Sequence, residues 1–308
     1  MELKNIQVKY NNDSRDNYDS WELFRRSNVE QVYEVVFKRN FSNYGRLLLL
    51  GVGNGNDIDI NYFEEKFEEV ILVDIDEDAL NHLISRVKHP EKFTKVVADL
   101  SGIAHHFETF EFLNKTSSQV ETFLRKIKIE HDLSKIQGKF DCIINCNYTT
   151  QLIHPHLLTE LDNYKIKPTS GLLQESLELT NKIIIELFNF IHSKLEDKGL
   201  FVHSTDKFEI SHHAKTDYYS PGSLEMMEEM EFQIHLNTDK LLTKENIIKF
   251  QKFALSGSQT PVGIFNVESV RYAPWTFVNT EEFVKHYICA INVYKKSIVP
   301  KYNTLKNL

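Results

Sequence analysis

Residues 47–55 read Leu47-Leu48-Leu49-Leu50-Gly51-Val52-Gly53-Asn54-Gly55, an apolar run followed directly by a glycine-rich turn. Consecutive apolar residues are typical of a buried strand in a parallel sheet, and the glycines predict a tight turn into a helix. Glycine has no β-carbon, so such a turn lets a ligand approach the backbone closely. The stretch predicts the first strand of an α/β sheet, with a binding site at its carboxyl end.

Apolar runs and amphipathic helical patterns alternate after this turn. Strands that alternate with helices predict a mostly parallel sheet with helices on both faces. Two further strand-like runs, near 262–270 and 286–294, predict an antiparallel edge. We therefore expect an α/β protein with a doubly wound sheet of seven strands. The four runs that follow the first strand are Val70–Val73, Lys95–Ala98, Phe140–Ile144 and Leu200–His203.

The segments outside this alternation predict a cap and insertions. Residues 1–45 precede the first strand, and apolar positions recur at helical spacing within residues 18–40, so we expect an N-terminal helical cap over 1–45. Residues 46–308 are expected to form the ligand-binding domain, with insertions near 148–170 and 206–260 that cover one end of the sheet. The second insertion is predicted to contain a helix near Thr243–Leu255.

The composition narrows the possible functions. The chain has 308 residues, a hydrophobic fraction of 41% and a formal net charge of −8 at pH 7. This acidity argues against nucleic acid and anionic membranes as partners. Neither a secretory signal nor a run of about 18 apolar residues occurs, which predicts a cytoplasmic protein without a membrane span. The oligomeric state is not predicted.

Cysteines and histidines give no metal signature. Cys142, Cys146 and Cys289 are too few for a disulfide framework, and we expect buried thiols. The histidines at 154 and 156, and those at 212 and 213, lack helix-spaced partners and a carboxylate at ligand spacing. No metal site is therefore predicted.

An acidic residue, Asp74, ends the second predicted strand. A carboxylate at this place can accept hydrogen bonds from the ribose hydroxyls of an adenosine-containing cofactor. The alternative is a helix cap, because several acids compete within residues 74–78. A dinucleotide fingerprint would require glycine where this chain has Asn56, so the pattern disfavours NAD.

These segments resemble the motifs of class I S-adenosylmethionine-dependent methyltransferases, which have a Rossmann-like fold. Residues 47–55 resemble their glycine-rich motif, and Val70–Ile75 resembles the acidic motif that follows. Later strand motifs are matched by Val96–Leu100, Phe140–Tyr148 and Lys198–Val202. The resemblance spans roughly residues 46–205.

The resemblance implies S-adenosylmethionine as the cofactor and a role for each matching residue. Gly51, Gly53 and Gly55 would face the methionine and ribose portions, and Asp74 would bind the ribose hydroxyls. Ile75 would pack on adenine, Asp99 would accept from its amino group, and Leu100 would lie beside it. Asn145 would lie near the methionine end.

One position departs from the family pattern. Many members carry an acid two residues before the first glycine, where this chain has Leu49. The amino group of the methionine portion could instead meet backbone carbonyls, or a residue of the N-terminal cap such as Asp16 or Asp19.

Methyl transfer from a sulfonium depends on in-line alignment, and a base helps where the acceptor is protonated. Tyr148 and His154 lie on a segment near the expected methyl group and are the candidate catalytic residues. Tyr18 and Trp21 of the cap, together with Tyr148, are the candidate substrate contacts. Asn145 and Tyr148 also resemble part of the N-P-P-Y motif of amino-methyltransferases, with both prolines missing.

The sequence thus predicts an S-adenosylmethionine-dependent methyltransferase that acts on a nitrogen or oxygen of a small molecule. An aminopropyltransferase related to spermidine synthases is an alternative, although its fourth-strand aspartate is missing from residues 145–148. A catalytically inert, methyltransferase-like partner protein is another, favoured by Leu49. Nucleic-acid methylation is opposed by the net charge of −8.

Overall fold

A computed structural model describes residues 3–40, 44–213, 218–219, 254–261 and 263–297 of the chain. The helix predicted near Thr243–Leu255, and most of the insertion predicted near 206–260, lie outside these residues. The side chains of the histidines at 212 and 213 lie outside the description as well.

The strands form one mixed sheet. They are β1 Arg46–Leu50, β2 Glu69–Asp74, β3 Phe93–Val97, β4 Phe140–Cys146, β5 Leu195–His213, β6 Tyr218–Tyr219, β7 Phe265–Asn279 and β8 Phe283–Lys296. Seven of them follow the order β3-β2-β1-β4-β5-β8-β7, and the two-residue β6 pairs with the end of β5. The pairs from β3 to β5 are parallel, whereas β8 is antiparallel to both β5 and β7. The predicted seven-stranded, mostly parallel sheet with an antiparallel edge is confirmed.

Helices cover both faces of this sheet. They are α1 Leu3–Ser14, α2 Glu22–Asn28, α3 Glu34–Asn40, α4 Ile60–Lys66, α5 Glu77–Ile84, α6 Ala104–Thr109, α7 Ser117–Lys126, α8 His154–Asn163 and α9 Ser170–Lys194. A π-helical turn, Val29–Tyr33, joins α2 to α3. Helices α2 to α5 contribute to the hydrophobic cluster on one face, and α6 to α9 contribute to the cluster on the other.

The apolar run of β1 lies at the centre because both of its faces are covered. Leu47 and Leu49 belong to one hydrophobic cluster, Leu48 and Leu50 belong to the other, and all four have an exposure of 0%. Successive side chains of a strand point to opposite faces, so a strand buried on both sides must be continuously apolar.

The last three strands of the sheet extend further than their sequence patterns indicate. Strand β5 begins at Leu195 and continues to His213, beyond its last pairing with β4 at Ser204. From there β8 alone continues to pair with it over most of the remaining length. Residues Thr205–Ser211 of β5 are mostly buried and polar, which is why apolar periodicity predicts only 200–203 as strand.

The N-terminal helices pack against the C-terminal strands. The Trp21 ring meets the edge of the Trp275 ring of β7 at a centroid distance of 4.8 Å, and Phe24 stacks on Trp275 at 4.7 Å. Trp21 Nε1 also donates to the Phe277 carbonyl. These contacts join the beginning and the end of the described chain in one hydrophobic cluster.

Candidate functional site

A cavity lies at the carboxyl ends of β1, β2 and β3. It encloses about 430 Å³ of space, part of which is open solvent. Parallel strands bring the residues that follow them to this edge, where ligands of doubly wound folds bind. The cavity is lined by Leu3, Gln7, Gly51, Asp74, Ile75, Ala98, Asp99, Leu100, Ser101, Tyr148, Gln151 and Leu152.

The glycine turn after β1 has a conformation that favours glycine. Gly51, Gly53 and Gly55 have φ values of +65°, +48° and +63°. A β-carbon on Gly51 would lie 2.0 Å from the Tyr148 ring, and one on Gly53 would lie 2.7 Å from Asn11 Oδ1. Gly55 faces Leu83 of α5 instead of the cavity. Of the three predicted glycines, the structure therefore brings Gly51 to the cavity.

Asp74 faces the cavity and also holds the turn. Its Oδ2 accepts a hydrogen bond from the Gly53 backbone N–H at 2.8 Å, and its Oδ1 accepts from the Asp76 N–H at 3.0 Å. Desolvation by burial raises the pKa of Asp74 to about 6, although these hydrogen bonds favour the charged form. The N-cap of α5 is Asp76, whose side chain accepts from Asp78 N and Ala79 N. The capping function is thus carried by a different acid.

Asp99 and its neighbours form the wall at β3. The Asp99 carboxylate accepts from the backbone N–H groups of Ser101 and Ala104, each at 2.8 Å, and from the Ser101 hydroxyl. It therefore fixes the start of α6 while lining the cavity. Ile75 and Leu100 supply apolar surface beside it.

Helix α1 covers the cavity from the N-terminal side. Leu3 and Gln7 line it, and Gln7 Nε2 donates to the Gln151 carbonyl at 3.1 Å. Asn11 Nδ2 donates to Asp76 Oδ2 at 3.0 Å, and Asn54 Nδ2 donates to the Asn11 carbonyl at 2.6 Å. The helix is therefore bound both to the glycine turn and to the segment after β4.

Tyr148 lies where the segment after β4 meets the glycine turn. Its ring packs on Gly51, and its hydroxyl is buried without a hydrogen-bond partner among the described residues. Burial raises the pKa of the Tyr148 phenol well above its ordinary value. The preceding residue, Asn147, has a left-handed φ of +47°. Its amide donates to Asp57 Oδ2 at 2.9 Å and accepts from the Ser204 hydroxyl at 2.7 Å.

Asn145 is buried below this edge and does not line the cavity. Its Nδ2 contacts His203 Nδ1 at 2.6 Å, and His203 Nε2 contacts the Gln259 carbonyl at 3.2 Å. A carbonyl can only accept, so Nε2 carries the proton and Nδ1 accepts from the Asn145 amide. Burial lowers the pKa of His203 to about 3, so this imidazole stays neutral at neutral pH.

The predicted substrate residues of the cap do not line the cavity. Trp21 is buried in the cluster it shares with Trp275. The Tyr18 ring lies between two guanidinium groups, 3.5 Å from that of Arg25 and 4.4 Å from that of Arg86. His154 begins α8, two residues after Leu152 of the cavity wall, and burial lowers the pKa of its imidazole.

Sequence reasoning missed several residues of this site. Leu3 and Gln7 belong to a mostly polar helix, and Ser101, Gln151 and Leu152 lie in segments without a recognisable motif. The position of Asp57 could have been predicted, because an acid just after the glycine turn lies at the carboxyl end of β1. Its partner Asn147 is 90 residues away in the sequence.

The strand order and the glycine turn match the fold that the sequence resemblance implies. The chain has a doubly wound α/β fold with a mostly parallel sheet and an antiparallel edge. No protein-family model matches the sequence, and no curated protein matches it either.

Solved structures similar to this chain include the three that follow. A S-adenosylmethionine-dependent methyltransferase from Clostridium acetobutylicum is 12% identical, with a TM-score of 0.43 and coverage of 93% of this chain and 98% of the other. The N-methyltransferase NodS from Bradyrhizobium japonicum, in complex with S-adenosyl-L-homocysteine, is 9% identical, with a TM-score of 0.42 and coverage of 94% and 98%. TehB from Haemophilus influenzae is 10% identical, with a TM-score of 0.42 and coverage of 88% and 62%. The fold of this chain is defined by its own strand order.

Proposed function

We propose that this protein is an S-adenosylmethionine-dependent methyltransferase that transfers a methyl group to a nitrogen or oxygen of a small molecule. The observation that supports this most directly is the cavity in which Gly51, Asp74, Ile75, Asp99 and Leu100 meet. Gly51 and Asp74 have the residue type and strand position at which an adenosine-containing ligand is recognised in doubly wound folds, and the resemblance implies the adenine contacts of the other three. We further propose that it acts in the cytoplasm, without nucleic acid or a membrane as partner.

The residues of the cavity fit this cofactor. A carboxylate offers about four lone-pair sites, and the two backbone contacts of Asp74 leave capacity for the ribose hydroxyls. Ile75 and Leu100 would contact the adenine faces, and Asp99 would accept from its amino group. Gly51 would let the ligand pass close to the backbone. When bound, S-adenosylmethionine would supply an electrophilic methyl group on a sulfonium.

The protein's own contribution to methyl transfer is orientation. Holding a bound acceptor in line with the methyl group can lower the activation barrier by about 7–11 kcal/mol. The raised pKa of Tyr148 keeps its hydroxyl protonated at neutral pH, so that it can donate a hydrogen bond to the acceptor and cannot serve as a base. His154 has a lowered pKa and is neutral at pH 7, which suits a proton acceptor.

A small molecule is the acceptor that the charge and the shape of the site favour. The net charge of −8 gives no general attraction to a phosphate backbone. Helix α1 and the segment after β4 enclose the cavity from two sides, as in sites that take a compact ligand.

A thermal-shift measurement tests the cofactor. S-adenosylhomocysteine at about 100 times its dissociation constant is expected to stabilise the protein by roughly 2.7 kcal/mol through mass action. NAD at the same concentration serves as the control and is expected to cause no shift. Equal shifts, or a shift with NAD alone, would contradict the proposed cofactor.

Methyl transfer itself is tested by mass spectrometry of small amines and hydroxyl compounds incubated with S-adenosylmethionine. A product heavier by one CH₂ group is expected. Cofactor binding without transfer to any acceptor tested would favour the inert partner protein instead.

A further inference from the structure

Asp57 is a partly buried carboxylate at the end of the glycine turn. It lies between Gly55 and the start of α4, and its Oδ2 accepts from Asn147 Nδ2 at 2.9 Å. The side-chain oxygen Oδ1 of Asn147 accepts from the hydroxyl of Ser204, the residue of β5 that pairs with the end of β4. Three neighbouring strand ends, those of β1, β4 and β5, therefore fix the orientation of this carboxylate.

Asp57 has no ion-pair partner in the described part of the chain. Arg25 is the nearby cation that favours its charged form, but the Arg25 guanidinium donates to the backbone carbonyls of Tyr18 and Asn56. Burial raises the pKa of Asp57 to about 6, against the opposing effect of the Asn147 hydrogen bond. A desolvated carboxylate without a cation is costly, unless a ligand supplies the cation.

A second carboxylate makes the same edge more negative. Asp206 of β5 is buried, and its hydrogen-bond donors are the thiol of Cys289 and the hydroxyl of Thr150. The proximity of Asp57 contributes to the raised pKa of Asp206. Each of these two carboxylates disfavours the charged form of the other, and a bound cation would relieve this repulsion.

The expected orientation of the proposed cofactor in the cavity brings the ammonium group of its methionine portion toward Asp57. Adenine would lie against residues that follow β3, and the ribose would lie at Asp74 after β2. The next strands in the sheet are β1 and β4, so the methionine portion would extend to their carboxyl ends. Asp57 and Asn147 meet there, next to Tyr148 of the cavity wall, although neither lines the cavity itself.

The structure also explains how this chain manages without the acid that many methyltransferases carry two residues before the first glycine. Leu49 occupies that position and is completely buried in the hydrophobic cluster that also contains Cys146. Burial, and after it the proximity of Asp57, raise the pKa of the Cys146 thiol in that cluster.

We propose that Asp57, oriented by Asn147 and Ser204, binds the ammonium group of the methionine portion of the cofactor and replaces the acid that Leu49 lacks. This inference rests on the proposed function and identifies the residue that recognises the amino acid portion of the ligand.

Calorimetric titration with three matched ligands tests it. S-adenosylhomocysteine carries the ammonium and carboxylate groups, decarboxylated S-adenosylhomocysteine keeps the ammonium alone, and 5′-methylthioadenosine has neither. Asp57→Asn is expected to weaken binding of the first two by about 10- to 150-fold, the loss of a charge-assisted hydrogen bond. Binding of 5′-methylthioadenosine is expected to change by less than about twofold.

Asp59→Asn is the matched control, because it removes the same charge from the same turn. Asp59 caps α4 by accepting from Tyr62 N, and asparagine caps a helix equally well. All three ligands are expected to bind this variant with wild-type affinity. Thermal unfolding without ligand provides a second readout. Asp57→Asn is expected to be at least as stable as the wild type at pH 8, since it removes an unpaired buried charge.

Three outcomes would overturn the inference. Unchanged binding of S-adenosylhomocysteine to Asp57→Asn would show that the ammonium lies elsewhere. An equal loss for all three ligands, together with lower stability, would show that Asp57 only supports the turn. Failure of wild-type protein to bind any of the three would overturn the proposed function, and the inference with it.

Discussion

Asp74 combines two tasks at the level of a single residue. Its carboxylate accepts from the backbone of Gly53 and of Asp76, so it orders the turn that borders the cavity. Its pKa is raised to about 6 by burial, so the carboxylate is ionised at pH 8 and mostly protonated at pH 5. Protonation removes acceptor capacity that the ribose hydroxyls would use.

Replacing Asp74 by asparagine is therefore expected to weaken binding of 5′-methylthioadenosine by about 10- to 150-fold at pH 8. This ligand has no ammonium group, so the measurement is independent of Asp57. In wild-type protein, affinity is expected to fall as the pH decreases through about 6, by at most about tenfold per unit. Calorimetry between pH 5 and pH 8 measures both effects.

The variant itself controls for other titrating groups. Asp74→Asn is expected to show little pH dependence over the same range. A folded Asp74→Asn protein with wild-type affinity at pH 8 would restrict Asp74 to its role in the turn.

Residues whose position follows from a local rule could be predicted from the sequence. Gly51, Asp74 and Asp99 follow directly after buried strands, and the structure brings all three to one cavity. Trp21 shows the limit, because its spacing with Phe24 and its large apolar ring equally suit a core position, which is where it lies. Asp57 could not be linked to Asn147 because their contact depends on how β1 and β4 pair.

At the level of elements, the strands of the parallel core could be predicted and α1 could not. The strands are continuous apolar runs, whereas α1 has Leu3 and Ile6 as its buried residues and is polar at most other positions. Its position is fixed by side-chain hydrogen bonds to Gln151 and Asp76, which leave no periodic pattern in the sequence.

Amide hydrogen exchange tests the relation between α1 and the cavity. If the helix must stay in place for a ligand to remain bound, S-adenosylhomocysteine at about 100 times its dissociation constant is expected to slow exchange in Leu3–Ser14 by up to about 100-fold. Helix α7, which packs on α9 away from the cavity, is the internal control and is expected to be unaffected. Protection of the glycine turn without protection of α1 would show that the helix does not cover the ligand.

For the whole molecule, the central question is whether residues 1–45 form a separate cap. The N-terminal helices share a hydrophobic cluster with β1, β2 and β7, and Trp275 lies between Trp21 and Phe24. Trp275→Ala is therefore expected to lower the free energy of unfolding by about 3–5 kcal/mol in one cooperative transition. Urea denaturation followed by circular dichroism and by fluorescence measures this. Two separate transitions, with only the first shifted, would instead support an independent cap.

The central position of β1 has a consequence for how the chain folds. Arg46 binds Glu69 of β2, 23 residues further on, and its backbone N–H donates to Asp141 of β4, 95 residues further on. One edge of β1 can therefore pair early during synthesis, whereas the other stays open until β4 has left the ribosome. The outer edge of β5 must wait longer, for β8, and Lys296 then binds a carbonyl 101 residues earlier. Closing such long loops is entropically costly and slow, and open strand edges attract other chains. We expect folding to finish only when β8 arrives, with exposed edges in need of chaperones until then.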